Sequence, residues 1–295
     1  MFSWVIVVGV RPLRAFISVD MEGMPYVVLP EELSHKRTPA LYGEARKVMT
    51  RVTKVVAETL HEMGFSEVVV ADSHGYMVNL IADELPEYVT IVRGFPRPIS
   101  MMCGVQGCNV ALFLGYHARA GVARATFDHT YSGAHIYSVR INGVEVSEYL
   151  LNTYVAGYYG VPVILVAGDE RLVNDEVRRY TPWSERIVLK RGLTRWSAQS
   201  PAMSRIEQML REGVKRAVER WRRRLMRVLR PPAPVNLEVV FTSTLYADIA
   251  ELLPGVQRIN GRTVTYRAPN ILDAYRVLEL MVLACAATRA MSGDL

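Results

Sequence analysis

Only three cysteines, Cys103, Cys108 and Cys285, occur in 295 residues. They are too few and too scattered for a disulfide framework, and Cys103 with Cys108 does not make a zinc-type C-x-x-C, so a reducing cytoplasm is expected. No apolar run reaches the roughly 20 residues needed to span a bilayer. The apolar opening, Met1 to Val10, is short and is followed by Arg11 and Arg14, whereas a signal peptide carries its positive residues first and a small-residue cleavage site afterwards. Export is therefore not expected. G-x-x-x-x-G-K-[ST] is missing, and no G-x-G-x-x-G follows a strand pattern, which argues against a nucleotide-binding protein. Internal repeats and low-complexity tracts are missing too.

Half the residues are hydrophobic and 22% are charged, the profile of a globular chain with a real core. The net charge of +6 is concentrated in one place. Between Arg211 and Arg230 nine Arg or Lys face two Glu, a net of +7, so the remainder of the chain carries about −1. Ile206, Leu210, Val214, Ala217, Trp221, Leu225 and Val228 recur there at helical spacing and predict one buried face. The basic face reads as solvated or oligomer-facing, and neither a nucleic-acid nor a membrane partner is expected.

Alternating strand and helix signals predict an α/β fold, a three-layer α/β/α sheet domain with a smaller C-terminal α+β region. Strands are expected at 16–19, 67–71, 90–92, 110–114 and 161–167. A helix is expected at 41–63, stopped by Gly64, and another at 147–159, stopped by Gly160. Asn142-Gly143 between two apolar runs predicts a hairpin. The stretch between Asp169 and Ser200 is assigned no element. Ser200-Pro201 reads as the cap and first turn of the long basic helix, and Pro231-Pro232-Ala233-Pro234 as the linker that stops it. A strand at 237–241, a helix at 245–253, a hairpin at Asn260-Gly261 and a helix at 271–290 capped by Asn270 follow. Residues 1–15 read as an N-terminal extension, 16–198 as the metal-binding catalytic domain and 199–295 as a C-terminal region for oligomerisation.

Three of these strands end in metal-binding residue types. Asp20 and Glu22, two apart in Ile17-Ser18-Val19-Asp20-Met21-Glu22-Gly23, point the same way if the segment is extended. His74 follows the second strand and His117 the fourth, and the ends of parallel strands lie along one edge of a sheet, where ligands bind. Glu148 opens a helix after the hairpin, where a helix-dipole acid would also be at home. Asp72 is as readily a loop-capping acid. His135 is expected to be structural, and His35 and His61 to lie on the surface.

These residues fall in motifs that resemble the zinc-dependent D-aminopeptidases of the DppA type, which are associated with dipeptide-transport operons. The resemblance rests on Ser18-Val19-Asp20-Met21-Glu22-Gly23, Asp72-Ser73-His74, Leu114-Gly115-Tyr116-His117-Ala118-Arg119, Ile141-Asn142-Gly143 with Glu148, Asn152 to Tyr159, and Val166-Ala167-Gly168-Asp169. It is tight to about Arg171 and looser beyond. It implies two zinc ions per chain held by Asp20, Glu22, His74, His117 and Glu148, with Asp20 bridging. Other divalent transition metals suit the same donors. A catalytic zinc keeps three protein ligands and an open position, and two ions lower the pKa of a water that they share. The resemblance also implies a catalytic role for His129 in Phe127-Asp128-His129-Thr130. Physical chemistry ranks His129 first as a proton shuttle or oxyanion donor. Asn152 and Asp169 are substrate-binding candidates on family match alone. The segment between Arg119 and His129 is longer than the family pattern. The implied function is hydrolysis of the N-terminal peptide bond of short peptides with an N-terminal D-residue such as D-alanine, by a homo-oligomer, expected to be a decamer.

Two further readings stay open. One keeps the metal site and changes the substrate to a peptidoglycan-derived or other amide; the other is a non-catalytic metal-binding assembly protein.

Overall fold

The structure is a computed structural model and describes residues 12–291. Residues 1–11, which hold most of the expected N-terminal extension, lie outside the described residues, while Arg14 and Ala15 already belong to the first strand.

The chain runs β1 (Arg14–Val19), α1 (Pro39–Glu62), β2 (Glu67–Asp72), β3 (Val89–Val92), β4 (Val110–Tyr116), β5 (Ile136–Ile141), β6 (Val144–Glu145), α2 (Glu148–Tyr158) and β7 (Val163–Asp169). A π-helical turn, Leu172–Val177, leads into α3 (Arg178–Tyr180), then β8 (Glu185–Thr194), β9 (Ser197–Gln199) and α4 (Met203–Arg222). β10 (Val235–Phe241), α5 (Thr244–Ala250), β11 (Val256–Asn260), β12 (Thr263–Ala268) and α6 (Ile271–Met291) complete it. The expected α/β class is the observed one.

Seven strands form the main sheet in the order β3-β2-β1-β4-β7-β8-β9. All its pairings are parallel except β8 with β9. β4 and β7 are buried along their whole length, which is why both read as unbroken apolar runs. β1 shows how the two faces are served. Ala15, Ile17 and Val19 pack under α1 and α4, where Val52, Val56, Leu60, Ile206, Leu210 and Val214 meet them. Phe16 faces the other way, into a core shared with α2, α6 and the second sheet. Chain order reverses between β1 and β4, the place at which open α/β sheets leave a crevice beyond their strand ends.

The second sheet is five-stranded, β11-β12-β10-β5-β6. β5 pairs antiparallel with β10, so the Asn142-Gly143 hairpin belongs to the same sheet as the C-terminal strands. Asn142 (φ 51°) and Gly143 (φ 80°) adopt the left-handed pair that a two-residue hairpin requires. α4 lies on the main sheet against α1 and β8. The expected division at 198/199 thus does not follow the layers, because α4 from beyond it packs on the main sheet and β5 and β6 from before it belong to the second sheet.

The basic helix is shorter than its pattern suggests. It begins at Met203 after Ala202, not at a Ser200 cap; the Ser200 hydroxyl instead accepts the Tyr26 backbone N–H at 3.2 Å. It ends at Arg222, with Arg224 in the left-handed region (φ 57°). Leu225 N–H donates to the Arg220 carbonyl at 3.0 Å and Arg224 N–H to that of Trp221 at 2.8 Å, the pair of bonds that closes a Schellman turn. Leu225 and Val228, expected on the buried stripe, are consequently exposed. The stop is invisible in sequence because an arginine, not a glycine, occupies the left-handed position. Part of the basic face serves intramolecular contacts: Arg211 pairs with Glu58 at 2.8 Å and Arg216 with Glu185 at 2.7 Å.

Candidate metal centre and active site

Two glycines bring the first pair of acids to the reversal point. An added Cβ on Gly23 would lie 2.0 Å from the Tyr116 carbonyl oxygen, and one on Gly115, where φ is +68°, would lie 2.1 Å from that of Asp20. Only bare backbone fits so closely. Asp20 N–H donates to Leu114 O at 2.8 Å and Gly23 N–H to Gly115 O at 2.7 Å. The turn that carries Asp20 and Glu22 is therefore pressed against the end of β4, which carries His117. His74 is set by the loop after β2. Asp72 accepts the backbone N–H groups of Asn79 (2.5 Å) and Leu80 (2.8 Å), and Asn79 Nδ2 donates to the His74 carbonyl at 2.8 Å. Asp72 is thus a loop organiser. Glu148 is the first residue of α2, capped by the Ser147 hydroxyl, and its Oε1 accepts the Tyr131 backbone N–H at 2.7 Å.

The result is a nearly buried cluster of Asp20, Glu22, His74, His117 and Glu148, with His129 at its rim. His74 Nδ1 lies 2.9 Å from Glu22 Oε2 and 3.5 Å from Asp20 Oδ1. His117 Nε2 lies 3.6 Å from Asp20 Oδ2 and 3.5 Å from Glu148 Oε1, and His129 Nε2 is 3.5 Å from the same Glu148 oxygen. The two oxygens of Asp20 therefore face different histidines.

Each imidazole has its other nitrogen on a backbone carbonyl: His74 Nε2 on Leu33 (2.9 Å), His117 Nδ1 on Ala118 (3.0 Å) and His129 Nδ1 on Phe127 (2.7 Å). A carbonyl can only accept, so those nitrogens carry the proton. The three facing the carboxylates are then lone-pair donors in the neutral rings. His117 Nε2 is buried and has no hydrogen-bond partner. With the rings neutral, these six acceptor groups have only the Met21 and Tyr131 backbone N–H groups donating to the Asp20 and Glu148 carboxylates, and such a cluster calls for positive charge.

The acidities express the same demand. Burial, then the Glu22 charge, raises the Asp20 carboxyl well above its ordinary value. Burial opposes ionisation of Glu22 too, but His74 holds it well below the carboxylate range. Burial disfavours charge on His117, yet Glu148 and Asp20 raise it to about 10. His129 goes the other way: burial and the stacked His117 ring, centroids 4.2 Å apart, hold it below its ordinary value and neutral at pH 7. Ligand atoms of Asp20, Glu22 and His117 lie within 4.8 Å of one another, as do those of His117, His129 and Glu148. Mixed imidazole and carboxylate donors suit zinc.

The cluster opens into a cavity of about 240 Å³ walled by Met77, Phe95, Met101, Val282 and Leu283, with Tyr131 and Glu279. His129 borders it and, on its other side, an outer cleft carrying Arg119, Arg140 and Arg195.

A family model described as D-aminopeptidase, peptidase M55, matches residues 13–280. The chain belongs to the D-aminopeptidase family. Within that family it is 32% identical to the D-aminopeptidase of Bacillus subtilis (strain 168) over 274 residues, 91% of this chain and 96% of the relative. It also superimposes on a solved structure described as "Zn-dependent D-aminopeptidase DppA from Bacillus subtilis, a self-compartmentalizing protease". There the TM-score is 0.88 at 30% identity, covering 93% of this chain and 98% of that one.

Two residues matched to the family in sequence stand apart from the cavity. Asn152 is fully buried behind it, with Nδ2 donating to the Tyr116 hydroxyl at 2.9 Å and Oδ1 3.3 Å from the Tyr131 hydroxyl. Asp169 is equally buried under the His129 loop, accepting Arg171 N–H at 2.8 Å. Neither lines the space a substrate would enter. His135 is buried, with Nδ1 2.7 Å from Ser132 Oγ, and His35 and His61 are exposed.

Residues in the unassigned stretch turn out to matter. Lys190 on β8 is wholly buried; its Nζ donates to the carbonyls of Glu22 and Val27, both at 2.5 Å, and lies 5.2 Å from the Phe127 ring. Arg195 pairs with Asp128 and Trp196 meets Phe127 edge-on at 5.5 Å. The β8–β9 hairpin therefore clamps the long loop that carries His129. Lys190 lies on the strand face opposite Ile187 and Leu189, and with Arg191 it ends the short apolar run Ile187-Val188-Leu189 that would have announced β8.

Proposed function

We propose that this chain is a dinuclear zinc aminopeptidase that removes an N-terminal D-residue, such as D-alanine, from short peptides. The observation that carries the reading is the linked cluster of three carboxylates and three imidazoles in a family of D-aminopeptidases. Asp20, Glu22, His74, His117 and Glu148 would hold the ions. The placement of the two Asp20 oxygens against His74 and His117 supports Asp20 as the bridge. When bound, two zinc ions supply a water of lowered pKa and polarise the scissile carbonyl.

The chain's own groups do the rest. His129, kept neutral and fixed in one tautomer by Phe127 O, takes a proton at Nε2 and passes it to the departing amide nitrogen. Tyr131 N–H holds the Glu148 carboxylate still. Met77, Met101 and Phe95 form an apolar wall for a small side chain. The departing chain leaves past His129 towards the arginine-lined cleft.

The B. subtilis relative is a self-compartmentalizing protease, which supports a homo-oligomer here as well, with ten copies the expected number. Free Cys103, Cys108 and Cys285 suit the cytoplasm, and among the described residues no helix is long and apolar enough to cross a membrane.

The test is elemental analysis of purified protein with paired substrates. About two zinc ions per chain and faster release of D-alanine than L-alanine are expected. Metal-replete protein that cleaves only N-blocked amides would overturn the reading in favour of an amidase, and protein with no hydrolytic activity would favour the assembly alternative.

A further inference from the structure

An aminopeptidase must recognise a free ammonium group, and the residues matched to the family leave that task unfilled, since Asn152 and Asp169 are both sealed away from the cavity. The lining contains one carboxylate outside the histidine cluster, Glu279 of α6. Tyr275, Glu279 and Leu283 recur at i, i+4 and i+8 and so share a helix face. That face is the one turned to the site: Tyr275 OH meets Tyr131 OH at 2.5 Å, and Glu279, Val282 and Leu283 line the cavity. Glu279 is half-buried at the edge of that face, bordering both the cavity and the shallow groove outside it, and a partly desolvated carboxylate there favours a cationic partner.

The Arg97 charge reaches it from the groove side, but no cation of the described residues pairs with it directly. Glu279 makes no ion pair among the described residues, although two guanidiniums are near it in a shallow groove outside the cavity. Arg97 is committed elsewhere, donating to Ser100 O and Val92 O, both at 2.8 Å. Arg276 turns to Asp273 at 3.5 Å. Burial raises the Glu279 carboxyl to about 7, which Arg97 only partly offsets; an incoming ammonium would complete its charge balance. The place is also right for chain direction. Glu279 and His129 both line the cavity, and of the two His129 also lines the arginine-bearing cleft. A peptide with its first residue beside Glu279 and its scissile bond at the cluster directs its leaving amine to His129 and its remaining residues into that cleft.

We propose that the Glu279 carboxylate is the anchor for the substrate's N-terminal ammonium, and that it sets the requirement for an unblocked amino end. This rests on the aminopeptidase reading above. The test uses zinc-loaded, full-length enzyme and Glu279→Gln, which keeps shape and removes charge. KM for a D-alanyl dipeptide should rise about ten- to hundredfold with kcat little changed, the loss expected for one charge-assisted hydrogen bond. Zinc content and Tm should match the parent, and Glu279→Asp should recover part of the loss. A second measurement compares inhibition by a D-alanyl amide with that by its des-amino analogue, propionamide. The parent should prefer the ammonium compound about ten- to hundredfold, and Glu279→Gln should bind both alike. A variant with parental KM and parental preference overturns the assignment while leaving the aminopeptidase reading intact. A parent enzyme that shows no preference for a free amino end overturns both.

Discussion

At the scale of single residues, the six groups of the centre differ in how they are held, and that makes them separable by substitution. His117 has a buried, unpartnered Nε2 between Asp20 and Glu148, so His117→Ala should abolish zinc binding and activity together, read by elemental analysis and turnover. His129 lies at the rim and is neutral, so His129→Ala should keep the zinc and lose about 10²–10⁴ in kcat, the range for a lost proton-transfer group. Loss of one ion in that variant would reassign His129 as a ligand in the set with His117 and Glu148. Asp20→Ala should cost both ions and Glu22→Ala one. Acidity adds a further expectation. His74 and His117 favour the protonated form in the metal-free cluster, and a ligand must be deprotonated to bind. Zinc loading at pH 7 should therefore release protons, and the apparent affinity should climb as pH rises. Calorimetry in buffers of different ionisation enthalpy would measure the release; loading without proton release would contradict this account.

At the scale of elements, the site is where five pieces of backbone are brought together: the turn after β1, the loop after β2, the end of β4, the His129 loop and the start of α2. The turn after β1 and the end of β4 touch through Gly23 and Gly115, with no room for a methyl group at either. Gly115→Ala combines positive φ with a backbone clash, and should cost about 2 kcal/mol or more, on the order of 5 °C in Tm, together with zinc. A thermal melt within 1–2 °C of the parent would show that the turn relaxes freely. The β8–β9 hairpin acts on the other wall. Trp196 and Arg195 are partly exposed, and their packing on Phe127 and Asp128 steadies the His129 loop. Trp196→Ala should lower kcat while leaving zinc content unchanged, as measured by steady-state kinetics beside elemental analysis.

At the scale of the whole molecule, the catalytic edge of the parallel sheet is roofed by α6, which arrives from the second sheet through Tyr275, Glu279, Val282 and Leu283. The two sheets are interleaved in sequence, β5 with β10, and share one apolar core. Unfolding should consequently be a single transition. Zinc binds only the folded arrangement, so a chelator should lower its midpoint. Two resolved melting transitions, or a midpoint indifferent to chelation, would break this coupling.

The sequence by itself determined the α/β class, most strand positions, the Asn142-Gly143 hairpin, and a set of acids and histidines at predicted strand ends. Those are local properties: apolar periodicity, turn residues, and donor types that follow a strand. It also supported Asn270 as a cap, whose Oδ1 does accept the Asp273 N–H at 3.0 Å. Tertiary structure decided how Asp20, Glu22, His74, His117, His129 and Glu148 join in one chain of contacts, because those contacts span the chain from residue 20 to residue 148. It alone withdrew Asn152 and Asp169 from the cavity, since burial behind or below a site leaves no mark on a residue's neighbours in sequence. It ended the basic helix at Arg222, where an arginine rather than a glycine takes the left-handed position. And it brought Lys190 and Glu279 into play, one wholly buried and one half-buried at a cavity edge, since only the fold reveals what a charged residue meets.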